Sequence, residues 1–263
     1  MKKTALFLVL FMTVTSVSFA QNKTFKVNGV SFTMVAVDGG TFTMGATADQ
    51  GSDVYDDEKP AHQVTLSSYY IGQTEVTQAL WRAVMGSNPS WFRSSTNWYD
   101  SRNYETNLQR PVECVSWYDC QEFIAKLNQM TGQRFRLPTE AEWEFAARGG
   151  TRSQGYKYSG SNTIGDVAWY TSNSNDQTHA VATKAANELG LYDMSGNVEE
   201  WCKDWYGNYS SGAQTNPKGP ASGYKHMYRG GSYDSSAFFI RVSVRSYSDP
   251  SNKCDKWGLR LAL

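Results

Sequence analysis

The chain has 263 residues, with 25 Lys and Arg against 25 Asp and Glu, so its formal charge at neutral pH is zero. That balance gives no electrostatic reason to expect a nucleic acid or an anionic membrane as partner. Nine Trp, 16 Tyr and 12 Phe promise large buried areas and good contact surfaces.

Residues 1–20 read as a signal peptide. Lys2 and Lys3 form a positive n-region, Ala5 to Val14 an apolar run, and Ser18-Phe19-Ala20 a small-x-small cleavage pattern, so that Gln21 opens the mature chain. The run is shorter than the roughly 20 apolar residues of a spanning helix, and no cysteine follows it to carry a lipid. The expected location is periplasmic, cell-surface or secreted, with no membrane span. From 21 to 263 no linker, charge run or repeat divides the chain, which leads us to expect one domain and a monomer.

Val30 to Val37 is β-prone, Gly39-Gly40 turns it, and Thr41-Phe42-Thr43-Met44 returns. Asp49 to Glu58 is an acidic stretch without the alternating carboxylates and central glycine of an EF-hand loop, and a solvated loop is expected there. Gln63 to Leu66 and Tyr69 to Ile71 suggest two more short strands. Three helices follow. Thr77 caps the first, which stops at Gly86. Ser116 caps the second, with Trp117, Cys120, Phe123, Ile124, Leu127 and Met130 at helical spacing before Gly132. Thr139-Glu140-Ala141-Glu142 is a capping box for the third, which ends before Gly149-Gly150. Beyond Gly150 the chain is loop-rich, up to a terminal strand over Gly258 to Leu263.

Cys114, Cys120, Cys202 and Cys254 allow three disulfide pairings, and no Cys-x-x-Cys occurs among them. His62, His179 and His226 lie far apart in sequence, so no zinc site is expected and the cysteines read as structural or idle thiols.

Seven segments in order carry a family likeness. They are Gly39 to Gly45, Glu75-Val76-Thr77, Pro111 to Trp117, Arg136-Leu137-Pro138-Thr139-Glu140-Ala141-Glu142-Trp143-Glu144, Gly190 to Val198, Arg229-Gly230-Gly231-Ser232 and Gly258-Leu259-Arg260. Together the chain resembles the formylglycine-generating enzyme (sulfatase-modifying factor) family across almost all of its mature length. The resemblance implies an α+β fold related to C-type lectins, with little regular secondary structure. It also implies a Ca²⁺ site at Asp193, Gly196, Val198 and Glu200, two side chains and two main-chain carbonyls. Hard oxygen ligands on one tight loop suit that ion; the alternative is that the two carboxylates only cap and hydrogen-bond the loop. A second family calcium site, around Asp166 to Asn187, does not map.

The family's chemistry is not matched. Its enzymes hold copper on two cysteines downstream of Gly-Gly-Ser, and the matching positions here are Ser235 and Ile240. Cu(I) needs soft thiolate ligands, so neither copper nor formylglycine formation is expected. Glu199 stands where the family has an active-site tryptophan.

Between Tyr233 and Trp257 polar and large apolar residues mix without period. Tyr233, Asp234, Ser235, Ser236, Phe238, Phe239, Ile240, Val244, Ser246 and Tyr247, with Ser248 and Asp255, are mostly types reachable from an asparagine codon by changing adenines alone. This resembles variable proteins diversified by retroelements, some of which display a ligand-binding face on this fold; ordinary drift after loss of activity is the alternative. The expectation is an exported, non-catalytic protein that binds an unknown protein or surface ligand. An oxidoreductase of altered chemistry and a structural part of an envelope assembly are the other readings.

Overall fold

The computed structural model describes residues 21–93 and 107–263; the expected signal peptide, 1–20, lies outside the described residues. Strand β1 (Lys23–Val27) and β2 (Val30–Val37) form an antiparallel hairpin with Val27 opposite Val30. Its two-residue loop is Asn28-Gly29, both at positive φ (46° and 88°). A primed turn needs that conformation to match the strand twist, and Asn-Gly is the pair that adopts it most readily. Strand β1 was not expected from the sequence, although Asn28-Gly29 between β-prone runs was the signal for it.

Among the described residues, ten strands form three small sheets. The first has the order β1-β2-β5, with β5 at Tyr69–Gly72. The second joins β3 (Gly40–Met44), β4 (His62–Leu66) and the short β7 (Gln214–Thr215) in the order β3-β4-β7. The third has the order β10-β6-β8-β9, from β6 (Glu199–Trp205), β8 (His226–Arg229), β9 (Ser246–Ser248) and β10 (Trp257–Leu259). The expected terminal strand is split. Residues 257–259 run parallel to β6, and Leu261 and Leu263 then bond along β5 through Gly72 and Tyr70.

The helices begin where their caps are. The Thr77 hydroxyl accepts from the Leu80 amide at the start of α1 (Gln78–Met85), and Gly86 closes it in the left-handed conformation. Ser116 and Asp119 form a capping box on α2 (Trp117–Thr131), ended by left-handed Gly132. Thr139 and Glu142 do the same for α3 (Glu140–Ala147); a single turn, α4, spans Ile164–Val167. Each satisfies amides that the first helical turn leaves unpaired. The stripe of α2 is core as expected at Cys120, Phe123, Ile124 and Leu127, but Met130, at the last turn, is exposed.

One hydrophobic cluster packs α3 (Trp143, Phe145) between the first two sheets and Met227 of β8. A second joins Trp81 and Phe123, stacked at 4.8 Å, to Trp201 and Leu259 of the third sheet. Among the described residues no helix is long and apolar enough to cross a membrane.

Four buried arginines tie the last third of the chain to the rest. Arg241 is bidentate to Glu58 at 2.8 and 2.9 Å. Arg245 grips Glu140 at 2.7 and 2.8 Å. Arg229 reaches both Glu140 and Glu144, and Arg260 holds Glu200 at 2.7 Å. The acidic stretch is therefore not simply solvated, because Gln50 and Glu58 are buried. Burial works against Glu58 ionising, but hydrogen bonds from Arg241 and Ser243 win and hold its carboxyl below the ordinary range.

Removing one partner of such a pair strands a buried charge, which costs about 3–5 kcal/mol. Arg241→Met is accordingly expected to lose about that much in urea unfolding. A loss under about 1 kcal/mol, the value of an exposed pair, would show that the Glu58 pair is not sealed from water.

Candidate functional site

The loop from Gly190 to Val198 enters β6 through a tight bend. Asp193, Gly196 and Asn197 all have positive φ (59°, 82° and 62°). A Cβ on Gly196 would stand 2.2 Å from the Trp169 carbonyl, so only glycine fits. Asp193 Oδ2 accepts from the Ala182 amide at 2.8 Å. Glu200 accepts from the Trp143 indole at 2.6 Å as well as from Arg260. A third carboxylate lies under the same loop: Glu75 accepts from the Val198 amide at 3.0 Å and from the Asn197 side chain at 2.7 Å. Glu75 lies in a family-like motif in the sequence, but no spacing links it to residues 193–200, so its place under this loop is visible only in the fold.

Asp193, Glu75 and Glu200 are all buried. Burial first, then its neighbour Glu200, pushes Asp193 up to about 6, against the pull of the Ala182 amide and Arg260. Burial, then Asp193 and Glu200, drives Glu75 well above the carboxylate range. Glu75 is thereby kept protonated, while Arg260 offsets only one of the two remaining carboxylates, Asp193 and Glu200, a residual negative charge that a hard cation would relieve. Asp193 and Glu200, with the Gly196 and Val198 carbonyls, are oxygen donors of the type Ca²⁺ takes, although Glu200 already serves Arg260. No group of three or more His, Cys, Asp or Glu among the described residues could by itself hold a metal ion; the expected set needs only two carboxylates.

The ten expected contact residues separate by burial. Tyr233, Ile240 and Val244 are buried, so they support the surface and do not line it. Their burial is set by residues distant in sequence, such as Phe92 and Tyr158. Ile240 packs with Tyr158, Val167 and Ala168 and sits over Gly231, where a Cβ would meet its Cγ2 at 2.3 Å. Tyr233 stacks edge-on against Phe92 and donates its hydroxyl to Asp255 at 3.0 Å. Ser235 lies half-buried, its hydroxyl accepting from the Ser232 amide at 3.0 Å. Asp234 pairs with Lys256.

The large side chains of the set that remain exposed are aromatic. Phe239 is 43% exposed and Tyr247 37%. Phe238 and Phe239 meet Tyr55, itself 45% exposed, with ring centroids 5.1 and 6.2 Å away. A cleft of about 340 Å³ lies beside them, lined by Gly51, Asp53, Lys157 and Phe238. Tyr247 belongs to another group, 3.9 Å from Tyr206 with Lys225 over its ring. Ser236 is exposed and Ser246 half-exposed. Tyr55 comes from the acidic stretch, and its place in the face depends on the Glu58–Arg241 pair that sequence alone did not reveal.

Glu199 accepts from the Trp257 indole at 2.6 Å, and burial pushes it up to about 7. None of the four cysteines is bridged in this structure; Cys120 and Cys202 are buried, and Cys114 and Cys254 half-buried.

The model of the sulfatase-modifying factor enzyme 1-like domain matches residues 18–263. Chaperone protein LppX of Paenibacillus barcinonensis is 32% identical over 88% of this chain and 89% of its own length. The formylglycine-generating enzyme of Streptomyces coelicolor is 30% identical over 87% of this chain and 88% of its own. Among solved structures, Treponema denticola variable protein 1 is 37% identical with a TM-score of 0.79, covering 92% of this chain and 98% of that one. The α+β fold expected from the seven motifs is the fold present, and the chain belongs to the sulfatase-modifying factor enzyme 1-like domain family.

Proposed function

We propose that this protein is an exported, non-catalytic binding protein that uses the family scaffold, supported by a calcium ion, to present a ligand-contact face. The observation that carries the reading is Ile240. It stands where the family has its second copper-binding cysteine, and it is fully buried in apolar contact. A thiolate site cannot be rebuilt there by a small movement, because the isoleucine is held against the Gly231 backbone. Ser235, at the first cysteine position, offers a hydroxyl already hydrogen-bonded to Ser232, and hydroxyls do not hold Cu(I).

The exposed rings of Tyr55, Phe239 and Tyr247 supply large contact area at low entropy cost, as tyrosine-rich paratopes do. The likeness to a variable protein supports reading Asp234, Ser236, Phe238, Phe239, Ser246 and Tyr247 as positions open to diversification for a protein or surface ligand. Asp193, Gly196, Val198 and Glu200 would hold the calcium, which would offset the charge that Asp193 adds beside the Glu200–Arg260 pair and stiffen the entry to β6.

Two outcomes follow. Incubated with copper and a sulfatase-motif peptide, the protein leaves the peptide cysteine unchanged; an aldehyde in the peptide would refute a non-catalytic role. Chelation lowers the melting temperature by several degrees and excess calcium restores it, whereas an unaltered melting curve would remove the ion from the account.

A further inference from the structure

Cys114 and Cys254 are distant in sequence but adjacent in space. The Cys114 amide donates to the Cys254 carbonyl at 2.9 Å. With about 1.5 Å from N to its Cα and about 2.4 Å from O to its Cα, the two Cα atoms lie at most about 6.8 Å apart, within the span of a disulfide. Contacts on either side keep the two segments together: the Trp117 amide donates to the Pro250 carbonyl at 3.1 Å, and Lys253 pairs with Asp119 at 3.6 Å. Cys114 itself has a φ of 60°, a left-handed conformation uncommon for a residue with a side chain. Cys120 and Cys202 belong to different buried clusters.

We propose that Cys114 and Cys254 form the disulfide of this protein, closing the segment after β9 against the start of α2. Two thiols give up two protons and two electrons to a disulfide oxidant, which leaves as two thiols. The oxidant is a thiol–disulfide oxidoreductase in the cell and oxidised glutathione in the test tube. The Cys114 thiol exchanges its bond to Glu113 for the new S–S bond. Glu113 is not left unpaired, since the Trp91 and Phe92 amides still donate to it at 2.8 and 3.0 Å. Burial pushes Cys254 up to about 11 and Cys114 higher still, so little thiolate exists once the chain is folded. Because the thiolate is the reactive form, the bond closes during folding.

The bridge bears on the contact face. Directly after Cys254 come Asp255, which holds the Tyr233 hydroxyl, and Lys256, which pairs with Asp234. Fixing Cys254 fixes both, and a face ordered in advance binds with less entropy loss. The inference needs an oxidant but not the proposed binding role, so each can fail alone.

The test is to refold the purified protein from guanidinium with reduced and oxidised glutathione, alkylate it under denaturing conditions, digest it and read the peptide masses. The expected result is a linked Cys114–Cys254 peptide pair, alkylated Cys120 and Cys202, and a melting temperature several degrees above that of the reduced protein. Four alkylated cysteines, or a bridge to Cys120 or Cys202, would overturn the pairing. A linked form that melts no higher than the reduced one would overturn the clamp.

Discussion

Four buried arginines fix the last third of this chain in place. Arg229, Arg241, Arg245 and Arg260 lie within about thirty residues of one another in the chain, and each reaches back to a carboxylate given by an earlier element. Glu58 comes from a turn, Glu140 and Glu144 from α3, and Glu200 from β6. A buried pair is costly to assemble and more costly to break. Its value lies in specificity, because a guanidinium fork accepts a carboxylate in few orientations. Irregular backbone, which builds no long hydrogen-bonded ladder of its own, is located by these forks instead.

That arrangement separates two kinds of position. Arg241 and Arg245, with Ile240, Val242 and Val244, are buried and answer to packing and charge. Ser236, Phe239 and Tyr247 point outward and answer to neither. The scaffold can thus keep its shape while its outer residues change, which is what a binding face requires. Ile240 falls in the packed set, and Ser235 is held by its hydrogen bond to Ser232.

Legibility in the sequence followed the locality of the cause. Helices α1, α2 and α3 were readable because Thr77, Ser116 and Thr139 act within four residues, and glycines mark the ends of the first two. Strands β2 to β5 were readable from runs of β-prone residues. Strand β6 was not, since Glu200, Trp201 and Cys202 are all buried and a strand covered on both faces has no alternation to detect. Nothing near Glu58 foretells a partner at Arg241, so a buried turn looked like a solvated one. Tyr233, Ile240 and Val244 looked like surface for the same reason: their burial is decided by Phe92, Tyr158 and other residues far away in sequence. Glu75 was visible as a residue of a motif, but its place beneath Asn197 and Val198 is a tertiary fact.

A substitution scan across residues 233–247, reading the folded fraction of each variant, tests the central claim most directly. The account predicts that Ser236, Phe238, Phe239, Ser246 and Tyr247 accept most side chains with the fold intact, while Ile240, Arg241, Val242 and Arg245 accept almost none. Equal intolerance at both sets would contradict it, because the segment would then be ordinary core and not a face carried on a fixed frame.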